Sequence, residues 1–114
     1  HYRESLAILT EARAVLRRTP KAQHPPARAA MEEVEGQIHV MFRRHVEAIK
    51  AFERARTEYR VLGRDAQVAH CDLYLGACYF ELGRLHQNTE LFSTAALFQE
   101  TAISGFSSTA SRES

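Results

Sequence analysis

No stretch of this chain is long and apolar enough to cross a membrane. The longest near-apolar run, Leu73 to Phe80, is eight residues, and a span needs about twenty. No secretory leader pattern occurs. Cysteine is scarce, with only Cys71 and Cys78. Their seven-residue gap is a rise of about 10 Å on a helix, too far for a disulfide within it. Free thiols point to a reducing, cytoplasmic setting. Strand signals are missing too, since period-two alternation is not sustained and valine is sparse. Charge of one sign is not in excess: the formal net charge is +1, which names no partner. The chain opens on His1 rather than Met and reads as a fragment of a larger protein.

What is present favours helix. Ala, Leu, Glu, Arg and Gln dominate, and 114 residues suffice for one small domain. Leu6, Leu9, Ala12, Ala14, Val15 and Leu16 fall at helical spacing from Tyr2 to about Arg18. Pro20, Pro25 and Pro26 break that helix, and the last two are suited to open another. The second should run from Pro26 to Phe42 on a stripe of Met31, Val34, Ile38 and Met41. Arg43-Arg44 makes a tight turn. The third covers His45 to Leu62, with Gly63 as the left-handed residue that ends it. Asp65 is placed to cap a fourth helix, which Gly83 closes. A fifth runs from about Gln87 to Ser104 and stops at Gly105. Residues 107–114 form a flexible Ser/Thr-rich tail.

Two segments repeat. Gly36, Ala48, Phe52 and Ala55 recur 40 residues on as Gly76, Asn88, Phe92 and Ala95. A fixed period in this range marks a stacked repeat protein. Asn88 breaks the match, and Asn favours helix N-caps, so the last helix starts there.

These residues resemble the tetratricopeptide repeat family. Its unit is a helix–turn–helix with a small residue midway along the first helix. A small, an aromatic and another small residue follow in the second. Gly36 with Ala48, Phe52 and Ala55 matches. Leu75-Gly76, Tyr79, Leu82-Gly83-Arg84, Phe92 and Ala95 match again. The resemblance implies an all-α fold of about five helices, stacked as antiparallel hairpins in a right-handed solenoid. It divides residues 1–106 into an orphan helix (1–19) and two units (26–63 and 64–105). The small and aromatic residues, Tyr79 included, would be packing residues. The period of 40 exceeds the family's usual 34 and is similar to that of helical sensor domains in bacterial regulators.

The resemblance also implies a concave face built by the first helix of each unit. That face would carry Ala30, Glu33, Gln37, Val40 and Met41, then His70, Leu73, Ala77, Phe80 and Glu81. Such a mixed apolar and acidic groove suits a helical or extended peptide. Glu33, Gln37 and Leu73 stand where the family's carboxylate-binding residues belong, so chaperone tails are not the expected ligand.

Motifs for catalysis are missing. Gly76 to Gly83 lacks the Lys-Ser/Thr of a phosphate loop, and His45-Val46-Glu47 does not complete a zinc helix. His39, His45, His70, Cys71 and Cys78 form no Cys-x-x-Cys or His-x-x-x-His pair, so the thiols read as small buried hydrophobes. No metal or cofactor is expected. Arg43, Arg44, Lys50, Arg54, Arg56, Arg60 and Arg64 are interleaved with Glu47, Glu53 and Glu58. The pairs Glu47–Lys50, Glu53–Arg56 and Arg54–Glu58 predict a solvated face rather than a nucleic-acid site.

The expected function is therefore a non-enzymatic protein-interaction module, binding a peptide, another protein or a neighbouring domain. One alternative is a sensor domain of a bacterial transcription regulator or signalling enzyme. Another is a small helical metal protein or enzyme using the His/Cys group. About two and a half units leave an end face near Leu6, Leu9 or Phe98 exposed, which predicts self-association.

Overall fold

The computed structural model describes residues 1–21 and 24–113, with side chains described to residue 107. Among them lie five helices and no strand: α1 (Tyr2–Arg17), α2 (His24–Met41), α3 (His45–Val61), α4 (Asp65–His86) and α5 (Thr89–Glu113). Each packs on its neighbour in sequence. The α2 and α3 helices run antiparallel, since Arg28 meets Glu58 while Arg54 meets Glu32. The whole measures 45 × 41 × 18 Å with a Cα radius of gyration of 15.1 Å. A globular chain of this length would be closer to about 13 Å, so the helices form a flat slab.

Local chemistry sets most of the ends. Pro25 and Pro26 sit in the first turn of α2, where a missing N–H costs nothing. Helix α3 stops at Gly63, with φ +71°. There the Arg64 N–H reaches back to the Tyr59 carbonyl at 2.9 Å and the Gly63 N–H to the Arg60 carbonyl at 3.0 Å. Helix α2 ends in the same double bond pattern, from Arg44 to His39 and from Arg43 to Val40. Its left-handed residue is Arg43, φ 60°, and that of α4 is Gln87, φ 51°. Neither is glycine, so each carries a steric cost of about 1 kcal/mol. Asn88 caps α5, accepting the Glu90 N–H on its Oδ1 at 3.0 Å. Asp65 is not a cap: it is the first residue of α4, after Arg64.

Two expected stops are not stops. Helix α4 passes through Gly83 to His86, and α5 through Gly105 to Glu113, so residues 107–113 continue a helix instead of forming a separate tail. Both glycines give room to the α4–α5 seam. A Cβ on Gly105 would stand 2.9 Å from the Ala69 Cβ, and one on Gly83 3.2 Å from Phe92 Cδ1.

The core has two centres. Ala48, Ile49, Phe52, Leu75 and Cys78 form one, with Val40, Tyr74, Tyr79, Leu82 and Phe98 packed around them. Ala29, Ala55, Tyr59 and Cys71 form the other, with Val68. Phe52 stacks on Tyr74 at 4.6 Å between centroids and Tyr79 on Phe98 at 5.5 Å. The α2 face turned to α3 is therefore that of Ala29 and Gly36, while His39 is buried beside Tyr2 of α1. The stripe Met31, Val34, Ile38 and Met41 is not its core face: Val34 is 44% and Met41 73% exposed.

The sequence repeat does not survive as a structural one. Gly36 packs under the Phe52 ring, where a Cβ would lie 2.8 Å from Cζ. Its counterpart Gly76 faces the Ala95 carbonyl and Gln99 instead, and Phe92 lies against Gly83. The turns explain this. The left-handed residues Arg43 and Gln87 are 44 positions apart, four more than the 40 between Gly36 and Gly76. An antiparallel pair folds back at its turn, so a turn moved by one helical turn slides the pairing by about two.

Candidate functional site

Helix α4 buries one side and bares the other. Ala69, Cys71, Asp72, Leu75, Gly76 and Cys78 are buried. His70, Leu73, Ala77, Phe80 and Arg84 are exposed at spacings of three and four, one continuous stripe. Leu73 is 48% and Phe80 46% exposed. Phe80 is braced edge-on by Phe92 at 5.3 Å, and His70 by Phe106 at 5.2 Å.

Helix α2 lies beside this stripe. The Cys71 thiol approaches Glu33 Oε2 at 3.9 Å. Burial pushes the Glu33 carboxyl above its ordinary pKa, opposed by the nearby His70. At the other end Glu81 accepts from Arg84 at 2.8 Å. That hydrogen bond holds its pKa below the usual value, and His45 and Arg43 add to the effect. The face thus has polar ends and an apolar middle.

Of the expected groove residues, Glu33 and His70 are brought near one another across α2 and α4. Glu33 and Gln37 are half-buried, Ala30, His70, Leu73 and Ala77 are exposed, and Met41 projects at the end of α2. Val40 does not belong: one turn after Gly36, it packs into the first core centre. Arg43, His45 and Arg84 were not anticipated, although Arg84 continues the spacing from Phe80. The packing set behaves differently. Gly36, Ala48, Phe52, Ala55, Gly76 and Ala95 are buried, Tyr79 and Phe92 half-buried, and Asn88 exposed.

The basic run is not the self-paired surface expected of it. Arg54 bridges to Glu32 and Glu35 of α2 at 2.8 and 2.7 Å, and Arg13 of α1 joins the same two carboxylates at 3.5 and 3.2 Å. Arg56 binds Asp72, which is 1% exposed; the other Asp72 oxygen has no hydrogen-bond partner. These guanidiniums reach across helix seams because antiparallel neighbours bring distant carboxylates closer than the i,i+4 ones. An acid between Cys71 and the apolar run from Leu73 to Phe80 was the signal for Asp72.

The His/Cys group is dispersed. His39 is buried with its Nδ1 2.8 Å from the Tyr2 hydroxyl, and the two cysteines lie in different core centres. Among the described residues no three His, Cys, Asp or Glu side chains converge as a metal site would require. Burial raises the thiol pKa to about 12 for Cys71 and about 11 for Cys78, which keeps them protonated and unreactive near neutrality. No described helix is long and apolar enough to cross a membrane.

No family model matches this chain, and no curated protein or solved structure is significantly similar to it.

Proposed function

We propose that this chain is a helical-repeat interaction module of the tetratricopeptide type, holding a peptide or helix of another protein along the exposed face of α2 and α4. A neighbouring domain of the same chain is the other occupant of this kind. The observation that carries the reading is the stripe of Leu73, Ala77 and Phe80 on a helix whose opposite side is wholly engaged in the core. Packing and display are divided between two sides of one helix. Covering the exposed half of a Phe or Leu is worth about 1 kcal/mol each, so a few such anchors give useful affinity once the cost of association is met. The Gly36–Phe52 contact supports the family reading, since a small residue there admits an aromatic between two helices. The slab shape supports a stack, and the shifted α4–α5 pairing makes the second unit an irregular member of it.

The test is selection of peptides from a display library against the immobilised protein, followed by titration against Phe80→Glu. Phe80 is half-exposed, so the variant should keep its helical circular dichroism. Its affinity should fall at least about tenfold. Equal affinity of every selected peptide for both proteins would remove this face from the function.

A further inference from the structure

A hollow of about 250 Å3 opens where α3, α4 and α5 meet, away from the exposed stripe of α4. Pockets for drug-sized ligands hold about 300–1,000 Å3, so an occupant here is smaller than those. The wall on α3 is cationic. Arg56 and Arg60 stand one helical turn apart along it. Arg56 gives its Nε–H to Asp72 Oδ1, which leaves the rest of its N–H donors. Arg60 is exposed and has no ion-pair partner among the described residues.

The facing wall, on α4 and α5, accepts. Asp72 is 1% exposed, and its Oδ2 has no hydrogen-bond partner. A buried acceptor without a donor is costly. The Thr101 hydroxyl already donates to the Leu97 carbonyl at 2.8 Å, so toward the hollow it can only accept. Val68 and Ala69 add hydrocarbon to the lining.

Among the described residues, the other charges nearby are turned elsewhere. Glu53, one turn before Arg56, accepts from the Tyr79 hydroxyl at 3.4 Å, and Glu58 holds Arg28 of α2. Lys50 and Arg54 line a separate hollow. Arg64 lies toward Tyr59 and the second core centre. Glu100 is exposed on the outer side of α5, two residues past the core-facing Phe98. Asp65, at the rim, is engaged already.

The hollow thus sets cationic donors on one side against acceptors on the other. A lone anion would match the guanidiniums and leave Asp72 Oδ2 without a donor. A lone cation, or a water, would serve Asp72 and leave Arg60 without an anion. An ammonium and a carboxylate on one small molecule match both walls.

We propose that this hollow binds a free α-amino acid with a short apolar side chain. Its ammonium donates to Asp72 Oδ2 and to the Thr101 hydroxyl. Its carboxylate accepts from Arg60 and Arg56, and its side chain lies on Val68 and Ala69. This site is independent of the peptide face on α2 and α4.

The test is titration of the isotope-labelled protein with L-alanine, L-valine and L-leucine, read by amide NMR shifts. Saturable shifts should appear at Ala69, Asp72 and Thr101 with at least one of them. The methyl ester of the tightest binder lacks the carboxylate, and its N-acetyl derivative lacks the ammonium. Each should bind at least about tenfold more weakly. Arg60→Gln and Thr101→Val change exposed side chains, and circular dichroism checks that both stay folded. The first should weaken binding at least about tenfold and the second severalfold. Phe80→Glu should leave it unchanged, which separates this site from the other face. The proposal fails if none of the three amino acids gives a saturable shift at millimolar concentration. It fails equally if either derivative binds as well as its parent, or if either variant binds like wild type. Shifts centred on Leu73 and Phe80 would place the ligand on the other face and overturn it too.

Discussion

Gly36→Ala tests the contact on which the α2–α3 hairpin is built. Two opposed effects have to be weighed. Alanine is the better helix residue by about 1 kcal/mol in a helix interior, so with free space the variant would be stabilised. The space is not free. The new Cβ would stand 2.8, 2.8 and 2.9 Å from Cε2, Cζ and Cδ2 of Phe52, well inside contact distance. Phe52 cannot retreat cheaply, because it is fully buried and lies parallel to Tyr74 at 4.6 Å. Overpacking a tight core costs about 1–3 kcal/mol, and a ring pinned on both sides belongs at the upper end. The net expectation is a loss of about 2 kcal/mol. For a domain of this size that lowers Tm by roughly 8 °C. Urea unfolding followed by circular dichroism measures both. Adding Phe52→Leu should relieve part of the loss, leaving a coupling of about 1 kcal/mol or more between the two sites. A Gly36→Ala protein as stable as wild type, or more stable, would refute the reasoning, because helix propensity would then have outweighed the contact.

Two further outcomes follow from buried polar groups. Arg56→Ala leaves the Asp72 carboxylate buried without its partner and should cost about 3 kcal/mol in urea unfolding; replacing both residues with apolar ones should cost clearly less. Above about pH 9 the protein should lose stability. Burial raises Cys71 and Tyr59 to about 12 and Cys78 to about 11. An unfolded chain releases these protons from about pH 9 for the thiols and pH 10 for the phenol, while the folded chain keeps them. The stabilisation is thus complete below those values and disappears as pH climbs towards 11–12, by at most about 1.4 kcal/mol per pH unit for each group. A urea midpoint that stays constant from pH 8 to about 11 would contradict the burial assigned to these side chains.

Much of the fold was legible residue by residue. Proline at positions 25 and 26, Gly63 after α3 and Asn88 before α5 mark helix ends because their preferences are local, set by one ring, one missing Cβ or one amide. The stripe Leu73, Ala77 and Phe80 was expected from the resemblance, and the three are exposed on one side of α4. Glycine misled at positions 83 and 105. The same residue serves a left-handed turn or a close helix approach, and only the neighbour shows which. Val40 was assigned to the groove and lies against the core, since its angle on α2 relative to Gly36 matters only once α3 is in place. Near Leu6, Leu9 and Phe98, where an exposed end was expected, the exposed side chains are the neighbours Ile8 and Leu97, while Leu9 is buried and Phe98 stacks on Tyr79.

The sequence by itself determined five helices and most of their ends, because each depends on a few consecutive residues. Tertiary structure alone decided the pairing of those helices. The Gly–Phe pattern is written twice, yet only Gly36 meets its aromatic. The turn at Gln87 comes four residues late, and an antiparallel seam doubles that displacement. The Arg56–Asp72 pair and the Arg13–Glu32/Glu35–Arg54 network both arise where segments distant in sequence are brought side by side, and no spacing within the chain encodes those distances.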